Sequence, residues 1–356
     1  MLSLNDREWK EFRLEDLFSV KRPTARNKDD YDDGNICFVA SGAVNNGVMK
    51  CCAPKGGEKL DAGNCLTVSP VDGSCFYQPQ SFLGRGGAGS SILMLYPVNW
   101  NLNRYIGEFI SKTVNMTATK YSYGHMANGE SIKRDRIMLP VNPNGQPDYD
   151  FMEAYIRQQK QDKVDAYIQY CKSCLSELGS ETNISGITQK EWLEFFVDDI
   201  FTIDSGKRLE SYNMTAGSRP FIGATDSGNG VTNYISNENE SLDSNVLGVN
   251  YNGNGMVISF YHPYECLFSD DVKRFHLKNH PDNKYVLLFF KTLILQQKAK
   301  YNYGYKFNAT RMKRQKNMLP VTETGEPDYD YMEQYAKNMM IRKYQVYLDY
   351  YEKAKT

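Results

Sequence analysis

Hydrophobic and polar positions change their rhythm along this chain at two matching places. Up to about residue 140 the apolar residues come in short runs, such as Cys37-Phe-Val-Ala40, Cys65-Leu-Thr-Val68, Cys75-Phe-Tyr77 and Ser91-Ile-Leu-Met-Leu-Tyr96, broken by Gly, Asn, Asp and Pro. Runs of this kind between turn formers predict short strands. Asn45-Asn-Gly47, and later Gly228-Asn-Gly230, tolerate positive φ and predict tight turns. After Pro147, and again after Pro327, the rhythm becomes helical. Tyr155, Ile156, Val164, Tyr167, Ile168, Cys171, Leu175 and Leu178 follow Met152 at three- and four-residue steps, and Met332, Tyr335, Ala336, Met339, Met340, Tyr344, Tyr347 and Tyr351 do likewise. Each stretch predicts a long amphipathic helix, with Asp148 and Asp328 placed to cap it.

The rhythm recurs because the sequence does. Leu139–Tyr155 returns as Leu319–Tyr335 with most positions identical, Trp9–Phe18 matches Trp192–Phe201, and Lys120-Tyr-Ser-Tyr-Gly124 matches Lys300-Tyr-Asn-Tyr-Gly304. A repeat of this kind divides the chain into two β-rich units, 1–147 and 187–327, followed by helices over 148–180 and 328–356. The division falls near Gly179–Gly186, the connector. The edges of the units recur while the interiors do not, which implies one scaffold carrying two readouts. The fold class is α+β. A helix of about 28 residues spans roughly 42 Å, more than its own unit can cover. The two helices therefore predict an antiparallel coiled-coil pair with pseudo-twofold symmetry, the alternative being that each folds back on its own sheet.

Composition narrows the class. The first ten residues are polar and charged, without the apolar core of a secretory signal. The longest apolar stretch, Tyr285–Leu295, contains Lys291 and falls short of the roughly 20 residues of a spanning helix. The eight cysteines do not recur between the repeats, so no disulfide framework is expected, and a cytoplasmic location without membrane contact is. Net charge is −1, so a nucleic-acid reading cannot rest on charge alone. Local clusters do exist at Lys21, Arg22, Arg26 and Lys28, at Lys133, Arg134 and Arg136, and at Arg311, Lys313, Arg314 and Lys316.

Catalytic motifs are not apparent. Gly84-Arg-Gly-Gly-Ala-Gly89 fits a dinucleotide fingerprint in form but leads into a strand rather than a helix, and reads as a loop. Cys171-Lys-Ser-Cys174 lies in mid-helix with no second pair at zinc spacing, and reads as packing. His276 and His280 can share a helix face, but the segment between them lacks the Glu of a zinc protease. What remains interleaves cations with aromatics: Lys120, Tyr121 and Tyr123 in one repeat and Lys300, Tyr301 and Tyr303 in the other suit backbone contacts to nucleic acid, or else brace a sheet. Base readout is expected where the repeats diverge, at Arg22, Arg26, Asn45 and Arg85, and at Lys207, Arg208, Asp226, Asn252 and Asn254.

The order of segments resembles the specificity (S) subunits of type I restriction-modification systems: a Trp-x-x-Phe-x-Leu-x-Asp-Leu-Phe opening, a Gly-rich region with Asn-Asn-Gly-Val, Lys-Tyr-Ser-Tyr-Gly, then Leu-Pro and a long helix, all repeated. The Pro-Asp-Tyr-Asp-x-Met-Glu form is similar to the short variants of type IIB, BcgI-like systems. The resemblance implies two target recognition domains that read the halves of a bipartite site in double-stranded DNA. It implies paired helices acting as a ruler and as a docking surface for adenine methyltransferase (M) subunits or fused methyltransferase-nuclease subunits. It also implies no catalysis and no cofactor on this chain, with S-adenosylmethionine, Mg2+ and ATP belonging to the partners. A catalytic nuclease or other enzyme on a duplicated β-rich domain, and a protein-protein scaffold, are the competing readings.

Overall fold

The computed structural model describes residues 2–87, 91–253 and 255–355. The chain folds as two compact units, Met1–Tyr167 and Ile168–Thr356. The first begins with β1 (Trp9–Arg13), α1 (Leu14–Leu17), β2 (Phe18–Lys21), β3 (Asp33–Val39), β4 (Val48–Cys52), β5 (Cys65–Val68) and β6 (Cys75–Gln78). It continues through β7 (Leu83–Gly84), β8 (Leu93–Pro97), α2 (Arg104–Thr117), α3 (Gly129–Arg134) and β9 (Arg136–Pro140) into α4 (Tyr149–Leu178). Strands in the order β2-β8-β5-β6 form an antiparallel sheet, and β4-β3-β7 form a second in which β7 runs parallel to β3. β1 pairs with β9 from Trp9 opposite Pro140 to Arg13 opposite Arg136. The main core lies between the larger sheet and α2, where Leu66, Leu93 and Leu95 meet Ile106, Ile110 and Val114, and Met152 of α4 joins them.

The second unit repeats the plan with β10 (Trp192–Phe196), α5 (Val197–Ile200), β11 (Phe201–Ser205), β12 (Ala216–Ile222), β13 (Val231–Ile235), β14 (Val246–Asn250) and β15 (Ser259–His262). Then come β16 (Leu267–Phe268), β17 (Val272–Leu277), α6 (Lys284–Leu295), α7 (Ala309–Arg314), β18 (Lys316–Pro320) and α8 (Tyr329–Lys355). The sheets are β11-β17-β14-β15, β13-β12-β16 and the ribbon β10-β18. Interiors that diverge in sequence therefore agree in topology, down to bulges at Asp33/Ile36 and Ala216/Arg219. The two Asn-Gly turns agree as well: Asn45, Asn46 and Gly47 have φ of 51, 55 and 72°, and Gly228, Asn229 and Gly230 have 59, 54 and 78°. A Cβ on Gly47 would sit 3.0 Å from the Ala40 carbonyl oxygen, so this tight, left-handed position suits glycine.

Three features differ from the sequence expectation. First, α2 and α6 lie inside stretches read as strand and turn. Their signals are Asn103 and Asn283, each of which accepts from two backbone N–H groups of the first turn, and the helical spacing of Ile106, Phe109, Ile110 and Val114. Second, His276 is on strand β17, not on a helix shared with His280. The buried residues Val272, Phe275 and Leu277 set that strand between β11 and β14. Third, the compact units divide inside α4 rather than at Gly179–Gly186. The last turns of α4 bury Ile168 and Cys171, and Tyr170 stands edge-on to Tyr344 of α8 at 6.0 Å between ring centroids. The Asn338 side chain bonds Thr182 through both its carbonyl and its amide.

Both long helices start alike: Asp148 accepts from Phe151 N and pairs with Arg7 at 2.8 Å, and Asp328 accepts from Tyr331 N and pairs with Lys190 at 2.6 Å. Among the described residues no helix is long and apolar enough to cross a membrane.

Asn103 also donates to Glu153 of α4 at 2.5 Å, and Asn283 to Glu333 of α8 at 2.8 Å, so each amide ties a core helix to the long helix of its unit. Asn103→Ala and Asn283→Ala are each expected to cost about 1–2 kcal/mol in urea denaturation. A loss within error would show that the tie contributes nothing.

Candidate nucleic-acid interface

Each unit carries a small hairpin between its core helix and its ribbon. In the first, Lys120 and Tyr121 both donate to Asp135, at 2.6 and 2.7 Å, and Tyr121 is buried. Burial, with the Asp135 carboxylate nearby, pushes the Tyr121 hydroxyl up to about 12. In the second, Lys300 and Tyr301 donate to the side-chain oxygen of Gln315 at 3.1 and 2.8 Å. The backbone carbonyls of Asp135 and Gln315 in turn accept from Leu14 and Val197, which tie the hairpin base to α1 and α5. Tyr121 and Tyr301 are thus buried braces rather than free contact groups, a correction to their sequence reading, while Lys120 and Lys300 join the brace and remain exposed. Their buried acceptors hold the donors in place.

The brace displays what lies beyond it. Tyr123 and Tyr303, at the hairpin tips, are 83% and 85% exposed. Tyr301 stacks on Tyr305 at 5.7 Å, the Arg311 guanidinium covers Tyr305 at 3.8 Å, and the Lys306 ammonium lies 5.2 Å from the Tyr303 ring. In each unit the result is an exposed tyrosine on a braced base, and in the second unit the Lys306 ammonium lies beside it. Such a tip can press a ring on sugar while cations meet phosphate.

The divergent candidates separate into two kinds. Arg26 is a core clamp, a second correction: its side chain is 3% exposed and donates to Glu58 at 2.7 Å, Asp61 at 2.6 Å, and the Lys59 and Gly84 carbonyls. Burial opposes its charge, yet Glu58 and Asp61 hold the guanidinium pKa above its ordinary value. Four of its five N–H groups are taken, and at 3% exposure the side chain is turned inward rather than toward DNA. In the second unit Asp243 stands at the place of Asp61, each in a short antiparallel bridge to the residue before the parallel strand (Phe82 before β7, Cys266 before β16), but its cations are Arg274 at 3.0 Å and His276 at 2.9 Å, both from β17. His276 donates its other N–H to Asp282 at 2.6 Å, and the hydrogen bonds to Asp243 and Asp282 raise the imidazole to about 10.

The other divergent candidates lie at the surface. Arg22 and Asn45 are exposed, Asn45 in its turn donating to Val48 O at 3.1 Å. Arg85 lines a recess of about 250 Å3 with Asn27, Lys28, Ser41 and Met49. Asn27, Ser41 and Met49 were missed in sequence, because only the parallel pairing of β7 with β3 brings Arg85 beside them. In the second unit Lys207 pairs with Glu240 at 2.5 Å and Arg208 with Glu210 at 2.7 Å, both cations well exposed. Asp226 is exposed, and Asn252 donates to Asp271 at 3.0 Å. Asn254 lies outside the described residues, as does the end of the Gly-rich loop at 88–90.

The profile of the family described as type I restriction modification DNA specificity domain matches residues 6–166 and 189–346. The protein described as type II restriction enzyme BgcI specificity subunit S.BcgI, from Heyndrickxia coagulans, is 40% identical over 332 residues, covering 92% of this chain and 93% of that one. Among solved structures, the S subunit of a type I restriction-modification system from M. genitalium aligns at 14% identity with a TM-score of 0.49, covering 98% of this chain and 93% of that one. The HsdS subunit from Thermoanaerobacter tengcongensis aligns at 12% identity with a TM-score of 0.31, covering 96% and 95%.

Arg26→Ala strands two carboxylates and is expected to cost about 3–5 kcal/mol of stability, read by denaturation. A stable variant with altered ligand binding would return Arg26 to the surface role. The His276 pKa is raised on folding, so its stabilisation is complete below about pH 6.5 and is lost as pH rises through about 10. Unfolding free energy should fall across that window in the wild type and fall less in His276→Gln, and an NMR titration should place the imidazole midpoint near 10. A midpoint at 6.5 would contradict the double clamp.

Proposed function

The chain belongs to the type I restriction modification DNA specificity family, and from this premise we propose that its two units each read one half of a bipartite site in double-stranded DNA. The chain is the non-catalytic recognition component, and methyl transfer and cleavage belong to methyltransferase or fused methyltransferase-nuclease subunits that dock on it. S-adenosylmethionine, Mg2+ and ATP, where the reaction requires them, are held by those partners. The observation that carries the reading is one scaffold built twice, with the same braced tyrosine hairpin and different residues on the smaller sheet and its loops. Shared parts suit the phosphate backbone, which is the same at every site. Divergent parts, among them Arg22, Asn45 and the Arg85 recess in the first unit and Lys207, Arg208 and Asn252 in the second, suit base edges.

The long helices α4 and α8 set the spacing between half-sites, paired as an antiparallel coiled coil. The tight ribbons at their roots fix where each begins. The near-neutral net charge fits a chain that completes its grip on DNA together with its partners.

Two outcomes test this reading. Affinity of the assembled complex for its DNA should fall linearly in log K against log salt, and Tyr123→Ala and Tyr303→Ala should each weaken it by about 1 kcal/mol, roughly fivefold, with unchanged melting temperature. Salt-independent binding, or tyrosine variants that lose stability without losing affinity, would count against it. Inserting four residues into α4 rotates the part of the chain beyond the insertion by about 40° and advances it by about 6 Å. The insertion should lengthen the non-specific spacer or abolish function with both half-site sequences unchanged, whereas an active variant with the original spacer would show that the helices are not the ruler.

A further inference from the structure

The two units match in topology, yet one face differs in kind. In the first unit Glu108 of α2 is held by Arg104 at 2.9 Å and by Lys160 of α4 at 2.5 Å. The shift of 180 residues that superimposes the capping residues Asn103 and Asn283 puts Leu288 and Met340 in the places of Glu108 and Lys160. The same shift puts Met339 for Gln159, Leu293 for Thr113, and Asn317 for the core residue Ile137. Where the first unit has an ion network, the second has an apolar groove of about 730 Å3 between α6 and the early turns of α8, walled by Trp192, Phe289 and Tyr335.

Thr292, Gln296 and Gln297 also line the groove, and two further polar groups in it, the Asn317 side-chain oxygen and the Lys291 ammonium, lack a hydrogen-bonding or ionic partner among the described residues. Asn317 is 5% exposed, and its side-chain oxygen is buried with no hydrogen-bond partner among the described residues. Lys291 is half-buried, lies 5.2 Å from the Phe260 ring and makes no ion pair among the described residues. An acceptor without a donor and a cation without an anion, set in a hydrophobic groove, define the complement they lack. An amphiphilic carboxylate would meet Lys291 but bring no donor to Asn317. A basic segment would be repelled by Lys291.

We propose that this groove docks one apolar, acidic segment of a partner subunit, whose hydrophobic side chains fill it while an N–H donates to the Asn317 oxygen and a carboxylate pairs with Lys291. The proposal rests on the reading of the chain as a specificity subunit with protein partners. Because the first unit fills the equivalent place with Glu108 and Lys160, the contact is made once per chain. Partner subunits of identical sequence would therefore be held unequally by the two units.

The test reconstitutes the full chain with its methyltransferase-bearing partner and measures partner affinity, bound copies by native mass spectrometry, and melting temperature. Leu288→Glu combined with Met340→Lys installs the ion pair that the first unit already accommodates, and Lys291→Glu reverses the rim charge. Each is expected to weaken partner binding about tenfold or more with melting temperature preserved. If the double variant fails to fold, Lys291→Glu, a change at the groove rim, carries the test alone. Unchanged partner affinity in folded variants overturns the docking site while leaving the specificity-subunit reading intact. Loss of self-association in place of loss of partner binding assigns the groove to a second copy of this chain and overturns the proposal. A wild-type chain that binds neither partner nor DNA overturns the functional reading and this proposal with it.

Discussion

Everything in each unit depends on its chain entering and leaving through one antiparallel ribbon. Trp9–Arg13 pairs with Arg136–Pro140, and Trp192–Phe196 with Lys316–Pro320, in the same register. The tryptophans anchor the ribbons: each indole N–H donates to a carbonyl five residues upstream, and Trp9 and Trp192 stack on Phe109 and Phe289 of the core helices. A loop closed this way makes both ends of the unit a fixed base, from which the long helix departs at a defined point. The intervening residues are then free to change, provided that they still close two small sheets over one core.

That constraint explains why the repeat is visible at the edges and faint within. Identical residues cluster at the ribbon, at Leu139-Pro140 and Leu319-Pro320, and at the start of each helix, where backbone pairing and capping leave little choice. Inside, Asp61 and Asp243 illustrate the freedom. Each carboxylate is neutralised, one by Arg26 from before β3 and the other by Arg274 and His276 from β17. Burying a carboxylate demands a cation but not a cation from any particular element. The asymmetry of the α6 groove is the same freedom exercised at a surface.

Strands, turns and long helices were legible because their periods differ and because Asn-Gly turns and Asp caps announce themselves locally. The core helices fall within stretches of strand-and-turn grammar: Lys284–Leu295 is predominantly apolar, so periodicity alone separates it poorly from a buried strand, whereas in Arg104–Thr117 the signal is the spacing of Ile106, Phe109, Ile110 and Val114, which a reading of short apolar runs passes over. The site was legible only in part. Tyr123 and Tyr303 carry no mark that distinguishes them from Tyr121 and Tyr301; Asp135 and Gln315, fourteen residues beyond the braced tyrosines, decide which ring is held and which is displayed. Arg26 looked like a reader because it diverges, whereas its acceptors Glu58 and Asp61 come from a distant loop that only folding brings near.

The claim that two independent readers share one scaffold is tested most directly by exchanging residues of about 20–135, which leaves both strands of the first ribbon in place, for those of a relative with another target. Sites methylated by the reconstituted complex are then sequenced. A change confined to one half-site, with the other half and the spacer length retained, is the predicted result. A change in both half-sites together would contradict the account.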